Sequence, residues 1–204
     1  MSVMTQIDGR RARGATSRRT VMTLAVDLAS VDGLEGLSLG TLAAKADMSK
    51  GGVVALFGSK EQLQLATVAA AKEIFVANVV TPALEEKGGL ARLLVLLDAW
   101  LRYSESRVFA GGCFFAAATS ELGSRRGPVR DAVVGAMVEW QQFVRRTIAG
   151  AIEREELDAA TDAAQLTFEI TSLLDGANDM SLLLDSNEPY ERARTALAKL
   201  FAPA

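Results

Sequence analysis

Lys50, Gly51 and Gly52 follow a serine, Ser49, that can cap a helix, and the helix they open is short. Glycine costs such a helix roughly 1 kcal/mol per position relative to alanine. The arrangement suits close approach to a polyanion. Backbone N–H groups and the positive end of the helix dipole meet phosphate, small residues let the helix axis sit deep in a groove, and Lys50 can reach a guanine edge or a phosphate. Gly51, Gly52, Val54 and Ala55 lack the charges of an ordinary solvent-facing turn. Upstream, Arg10, Arg11, Arg13, Arg18 and Arg19 fall within residues 9–20 without an acid. By composition alone that is a solvated tail; beside a reading helix it is an electrostatic footprint for phosphate. The net charge is −3, but residues 1–63 hold eight Lys/Arg against six Asp/Glu, and the rest 14 against 19.

Other chemistry is narrowed by what is missing. The chain has no histidine, which removes the commonest general base and metal ligand, excludes Ser–His–Asp and Cys–His catalysis, and disfavours most zinc sites. The single cysteine, Cys113, excludes an internal disulfide and fits a reducing cytoplasm. Its phenylalanine neighbours make it a small buried hydrophobe rather than a redox sensor. Glu121, Glu139 and Asp175 are the carboxylates an all-helical enzyme would use, but no nucleophile is paired with a base. No catalytic residue, metal or cofactor is expected. A second chemistry lies in "GGCFFAAATSEL" at 111–122. Cys113, Phe114 and Phe115, with Trp100, Tyr103, Phe109, Trp140 and Phe143, could enclose an apolar cavity between helices where a small ligand sits. Each alone reads first as an ordinary core residue; the set together is what suggests a cavity.

The elements that must position these residues are helical almost throughout. Residues 18–32 place Val21, Leu24, Ala25, Leu28 and Val31 on one face. Ser38 caps a helix at about 39–46, Ser49 one at about 50–56, and Ser59 a long one at about 60–80, where Gln62 completes capping-box spacing. This is a three-helix unit with a helix-turn-helix in its second and third members, and a fourth helix leading away. Thr81-Pro82 suits the start of a further turn. Larger helices follow at about 90–105 (Leu90, Leu93, Leu94, Leu97 and Leu101 inward), within 111–122, and from Pro128 to about 155 on the stripe Val129, Val133, Met137, Trp140, Val144, Ile148 and Ile152. The last two lie at about 161–185 and 188–202. Leu166, Ile170, Leu173, Leu174, Ala177 and Leu184 form an apolar stripe richer than one bundle needs, and so a dimer interface of four helices, two from each chain. The fold class is all-α. No run of 18 apolar residues predicts a membrane span, the first residues lack a signal-peptide pattern, and a cytoplasmic location follows.

The stretch "AVDLASVDGLEGLSLGTLAAKADMSKGGVVALFGSKEQL" resembles the TetR family of bacterial transcriptional repressors. Ala25, Leu28, Gly33, Leu42, Ala43, Ala46, Ser49, Gly51, Phe57, Ser59, Lys60, Glu61 and Leu63 match the family pattern. The resemblance implies that Lys50, Gly51, Gly52, Val54 and Ala55 face the major groove, and that Ser38, Thr41, Ser49 and Lys60, with Arg18 of the basic segment, contact phosphates. It also implies a homodimer on a near-palindromic double-stranded operator, a small-molecule effector, and release of a repressor by an apolar or aromatic compound. The chain departs from the pattern at Asp47, where glycine is usual, and at Val54, Ala55 and Leu56, where a tyrosine is common.

The expected organisation is a flexible basic arm at 1–17, a DNA-binding unit at 18–63 and a ligand-binding and dimerisation part at 64–204. Two alternatives stand beside it: a helical ligand- or protein-binding dimer that has lost DNA binding, and an all-α enzyme.

Overall fold

The computed structural model describes residues 2–201, with side chains from residue 14 onward. The chain runs through α1 (Ser2–Gly36), α2 (Leu39–Lys45), α3 (Lys50–Phe57) and α4 (Lys60–Phe75). A π-helical turn (Val76–Val80) joins α4 to α5 (Thr81–Leu84). Then come α6 (Gly89–Glu105), α7 (Phe114–Leu122), α8 (Pro128–Glu153), α9 (Ala163–Leu184) and α10 (Glu188–Leu200). There is no strand among the described residues.

The three expected caps form. Ser38 Oγ accepts from Thr41 N at 3.0 Å, Ser49 Oγ from Gly52 N at 3.0 Å, and Ser59 Oγ from Gln62 N at 3.1 Å. Each satisfies an N–H that the first turn leaves without an internal partner. The Ser59 amide donates instead to the Phe57 carbonyl. Val21 and Ala25 of α1, Leu42 and Ala43 of α2, Val53 and Phe57 of α3 and Leu63 of α4 form the apolar centre of this unit.

Several expectations are corrected. The helix starts at Ser2, so the backbone of the arginine segment is helical where a flexible arm is expected; the side chains of Arg10, Arg11 and Arg13 lie outside the described residues. Val31 is 61% exposed and Leu94 47% exposed, while Val26 and Leu96 are buried in their stead. Thr81 does not cap a new helix. Its N–H reaches back five residues to the Val76 carbonyl, and the chain stays helical through a wide turn. Pro82, just beyond, has no N–H and its ring crowds the carbonyl of Asn78, so an ordinary α turn is unfavourable there. Lys60–Leu84 is also long and apolar enough to cross a membrane by length and composition. Its apolar face, however, with Leu63, Val68, Ala71, Phe75 and Val79, is buried, and it packs on α1, α6 and α8. It is the spine that joins the N-terminal unit to the larger bundle.

In the bundle, α9 packs on α10, α6 on α8, and α8 on α4 and α9. A buried polar cluster ties it together. Asn178 Oδ1 accepts from Ser104 Oγ and from Cys113 N, both at 2.8 Å. Tyr190 OH lies 2.8 Å from Ser104 Oγ and 3.0 Å from Ser181 Oγ, and accepts from Arg107 Nη1 at 3.0 Å.

Candidate functional site

The reading face is built on α3. Val53 and Phe57 face inward, which leaves Lys50, Gly51, Val54 and Ala55 exposed and Gly52 half-buried. A Cβ at Gly51 would meet no atom within 4 Å, whereas one at Gly52 would lie 3.2 Å from Ser49 Oγ. The fold thus asks mildly for glycine at 52 and not at all at 51. Asp47 adopts the left-handed conformation, φ 51°, in the turn between α2 and α3. That is the conformation for which glycine is usual, and aspartate tolerates it better than most residues. Thr41 and Ser38 are exposed, with their hydroxyl oxygens 2.7 Å apart. Arg18 is held beside this face: Nη1 donates to the Leu56 carbonyl at 2.7 Å, and the guanidinium lies 4.5 Å from the centre of the Phe57 ring. A cation at the end of α3 also complements its dipole.

Lys60 has a second role that its sequence position does not show. Its ammonium donates to the Glu35 carbonyl at 2.6 Å and pairs with Glu35 Oε2 at 3.3 Å. That ammonium holds the Glu35 carboxyl below the usual carboxylate range. Lys60 is therefore engaged at the end of α1, where the helix breaks. Gly33 has φ 77° and ψ 165°, which interrupts the α1 ladder and frees the next N–H groups. Glu121 of α7 takes both: Oε2 accepts from Leu34 N at 2.7 Å and Oε1 from Glu35 N at 2.8 Å. A Cβ at position 33 would lie 2.8 Å from Glu121 Oε2, so glycine is needed for the approach as well as for the dihedral. From the other side Gln64 Nε2 donates to the Leu34 carbonyl at 2.8 Å. The last turn of α1 is thus gripped by α7 through its N–H groups and by α4 through its carbonyls. Glu121, an acid in the enzyme reading, is a backbone clamp.

The expected cavity is present, with different walls. A space of about 220 Å³ is enclosed by Lys72, Phe75, Val76 and Val80 of the spine, Trp100 of α6, Cys113 and Phe115 at the start of α7, several residues of α8 including Met137, Glu139, Trp140, Phe143 and Arg146, and Asp175 of α9. Of the eight residues expected there, Trp100, Cys113, Phe115, Trp140 and Phe143 line it. Tyr103, Phe109 and Phe114 do not; they stack behind the wall edge to face, with Tyr103–Phe109 at 6.0 Å and Phe114–Phe115 at 5.3 Å. Phe75, overlooked in the sequence, is central, 5.2 Å from Trp140, 5.6 Å from Tyr103 and 6.0 Å from Phe115. Its spacing of four and seven residues from Ala71 and Val68 was the available signal. The Cys113 thiol is pushed up to about 12, chiefly by burial, so it is no thiolate at neutral pH. At the rim Lys72 Nζ pairs with Glu139 Oε2 at 2.6 Å. Burial, and after it the Asp179 carboxylate, raise Asp175 to about 6.

The dimer stripe is corrected too. Leu166, Ile170, Leu174 and Ala177 are buried in the protomer's own core and Leu173 is partly buried; of the six expected residues only Leu184 is exposed. The apolar residues that α9 presents outward are Phe168 (67% exposed), Met180, Leu182 and Leu183 (76% exposed), with Leu184. Ser172, Gly176, Met180 and Leu184 border a groove shared with Pro189, Ala193 and Ala196 of α10.

Comparison with known proteins matches these parts. Residues 21–67 match the family described as "Bacterial regulatory proteins, tetR family", and residues 89–197 match "Tetracyclin repressor-like, C-terminal domain". A TetR transcriptional regulator from Chloroflexus aurantiacus J-10-FL is 28% identical, with TM-score 0.85 over 92% of this chain and 95% of that one. Escherichia coli NemR in its reduced form shares the fold at 20% identity, TM-score 0.78, over 93% and 99% of the two chains. AibR, solved with isovaleryl coenzyme A and operator DNA, does so at 17% identity, TM-score 0.68, over 80% and 86%. No curated protein matches the chain. With the short-helix reading unit and the cavity-bearing bundle each matched by its own family model, in that order along the sequence, the chain belongs to the TetR family of bacterial transcriptional regulators.

Proposed function

We propose that the protein is a cytoplasmic, homodimeric repressor that binds a near-palindromic operator through residues 18–63 and is released when a small effector enters the cavity of residues 64–204. The observation that carries the DNA reading is Gly51. The fold leaves open space there, yet the helix holds its least favourable residue short of proline, between Lys50 and an uncharged exposed face. A demand from outside the protein accounts for that choice. Dimerisation is supported by the exposed apolar residues of α9 and by the need to present two reading helices one helical turn, or about 34–36 Å, apart. Effector binding is supported by the aromatic cavity, and the AibR complex is an instance of ligand and operator in one related fold. The last turn of α1, gripped by α7 on one side and α4 on the other, is the route by which the cavity acts on the reading unit. An effector releases DNA only if it favours the state that cannot span the operator. Catalysis has no part in this reading.

Gly51→Glu tests it. Replacing an exposed helical glycine should leave stability unchanged or raise it by up to about 1 kcal/mol. Binding to DNA from upstream of the chain's own gene should be lost, because a carboxylate then faces phosphate. Gel-shift and thermal melting on the same preparation separate the two effects. Operator affinity equal to wild type would instead favour a ligand-binding dimer that has lost DNA recognition.

A further inference from the structure

We propose that the effector is a compact organic cation whose charge rests against Asp175 among the aromatic rings of the cavity; this deepens, and rests on, the effector reading above. Asp175 has no hydrogen-bond or ion-pair partner among the described residues. A carboxylate in an apolar site is normally paired, hydrogen-bonded or neutralised. The other charges on the walls are accounted for differently. Lys72 is paired with Glu139 at 2.6 Å, and both side chains reach solvent; Arg146, which also borders the space, is exposed. Of the four charged side chains on the walls, the Asp175 carboxylate is a half-buried one without a protein partner among the described residues, and the charge it offers a ligand is negative.

The rings agree with that sign. Phe75, Trp100, Phe115, Trp140 and Phe143 all border the space. The negative faces of aromatic rings attract a cation within about 6 Å, most strongly when water is excluded. A carboxylate among such rings favours a cation, tolerates a neutral molecule and opposes an anion. The volume of about 220 Å³ falls below the ~300–1,000 Å³ of drug-sized sites, so the cation is small. A tertiary or quaternary ammonium suits a wall that offers one carboxylate and few other acceptors.

The raised carboxyl of Asp175 adds a pH signature. Asp179 lies four residues further along the same helix, and the remaining titratable groups on the walls are Lys72, Glu139, Arg146 and Cys113, whose thiol is pushed up to about 12. A cation needs Asp175 ionised. Affinity should be level above pH 7 and fall as pH drops through about 6.

Both tryptophans of the chain, Trp100 and Trp140, line the cavity, so their fluorescence reports occupancy. Three probes of similar size differ in charge: benzyltrimethylammonium, its neutral isostere neopentylbenzene, and 3-phenylpropanoate. The cation should quench saturably and bind at least about tenfold more tightly than the isostere. That preference should shrink about tenfold between pH 7.5 and pH 5. Asp175→Asn should cut the preference about tenfold at pH 7.5, to what the rings alone provide, and leave the isostere's affinity unchanged. Equal affinities for cation and isostere, or a preference undiminished in Asp175→Asn, overturn the assignment. Tightest binding by the anion overturns it while leaving the effector cavity standing. Quenching by none of the three in a folded protein overturns the cavity reading and this proposal together.

Discussion

A carboxylate surrounded by rings has an effect on folding as well as on recognition. Asp175 titrates near 6 in the folded protein, above the ~3.9 of an unfolded aspartate. The folded state therefore holds the proton more tightly. Stability falls as pH rises from about 4 to about 6 and is level above that. Asp175→Asn should raise the melting temperature at pH 7–8 and leave it unchanged at pH 4 and below. Allowing for solvent that reaches the cavity, the gain at pH 7 should be on the order of 1–2 kcal/mol. A loss of stability at pH 7 would show that the carboxylate is holding something in place. At this scale the sequence was most informative where chemistry is local. The three serine caps bond an amide three residues away, so type and spacing were enough. In the sequence Asp175 is one of three candidate acids of an all-helical enzyme, with Glu121 and Glu139, and its surroundings are not legible, because what distinguishes it is the company of Phe75, Trp100 and Trp140 from three other helices.

Helix boundaries were legible for the same local reason, since caps, glycines and apolar stripes sit within a turn or two of each end. The joint between α1, α4 and α7 was not. Glu121 is 87 and 86 residues from the amides it binds, and Gly33 reads as a simple stop. The cluster around Asn178, Tyr190 and Ser104 was hidden too, because polar residues in a helical pattern read as surface. Glu121→Ala should remove the acceptor for two N–H groups at the break in α1, each worth about 1–3 kcal/mol where burial keeps water from replacing it. The expected result is faster amide exchange at Leu34 and Glu35, a lower melting temperature and weaker operator binding, with the α8–α10 region unaffected. Unchanged exchange at those two amides would mean that water serves them equally well.

At the scale of the whole molecule, the stripe of α9 shows why assembly is the hardest thing to read. Core and interface use the same residue types at the same period, and a helix with apolar residues on more than one face does not say which side is kept for a partner. Leu174 is 1% exposed and Leu183 is 76% exposed, so the two discriminate. Leu183→Glu should leave the protomer folded, with a melting curve close to that of a monomer, and should shift mass by light scattering to one chain; operator affinity should fall with it. Leu174→Glu should unfold the protomer, since an unpaired carboxylate in the core costs several kcal/mol or more. A stable dimer in Leu183→Glu would place the interface on another face.

The wide turn at Val76–Val80 carries a consequence for how the chain tolerates insertions and deletions. Its bonds span five residues rather than four, so the turn holds one residue in surplus over an ordinary helical turn. Elsewhere in the spine, losing a residue would rotate everything before it by about 100° and re-aim the reading helix. Here, once Pro82 is replaced so that a regular helix can run through, a single deletion returns the surplus and leaves both flanking faces in register. Since Val76 and Val80 are also walls of the cavity, the spine can be shortened at this place without turning the head, at the expense of the room reserved for a ligand.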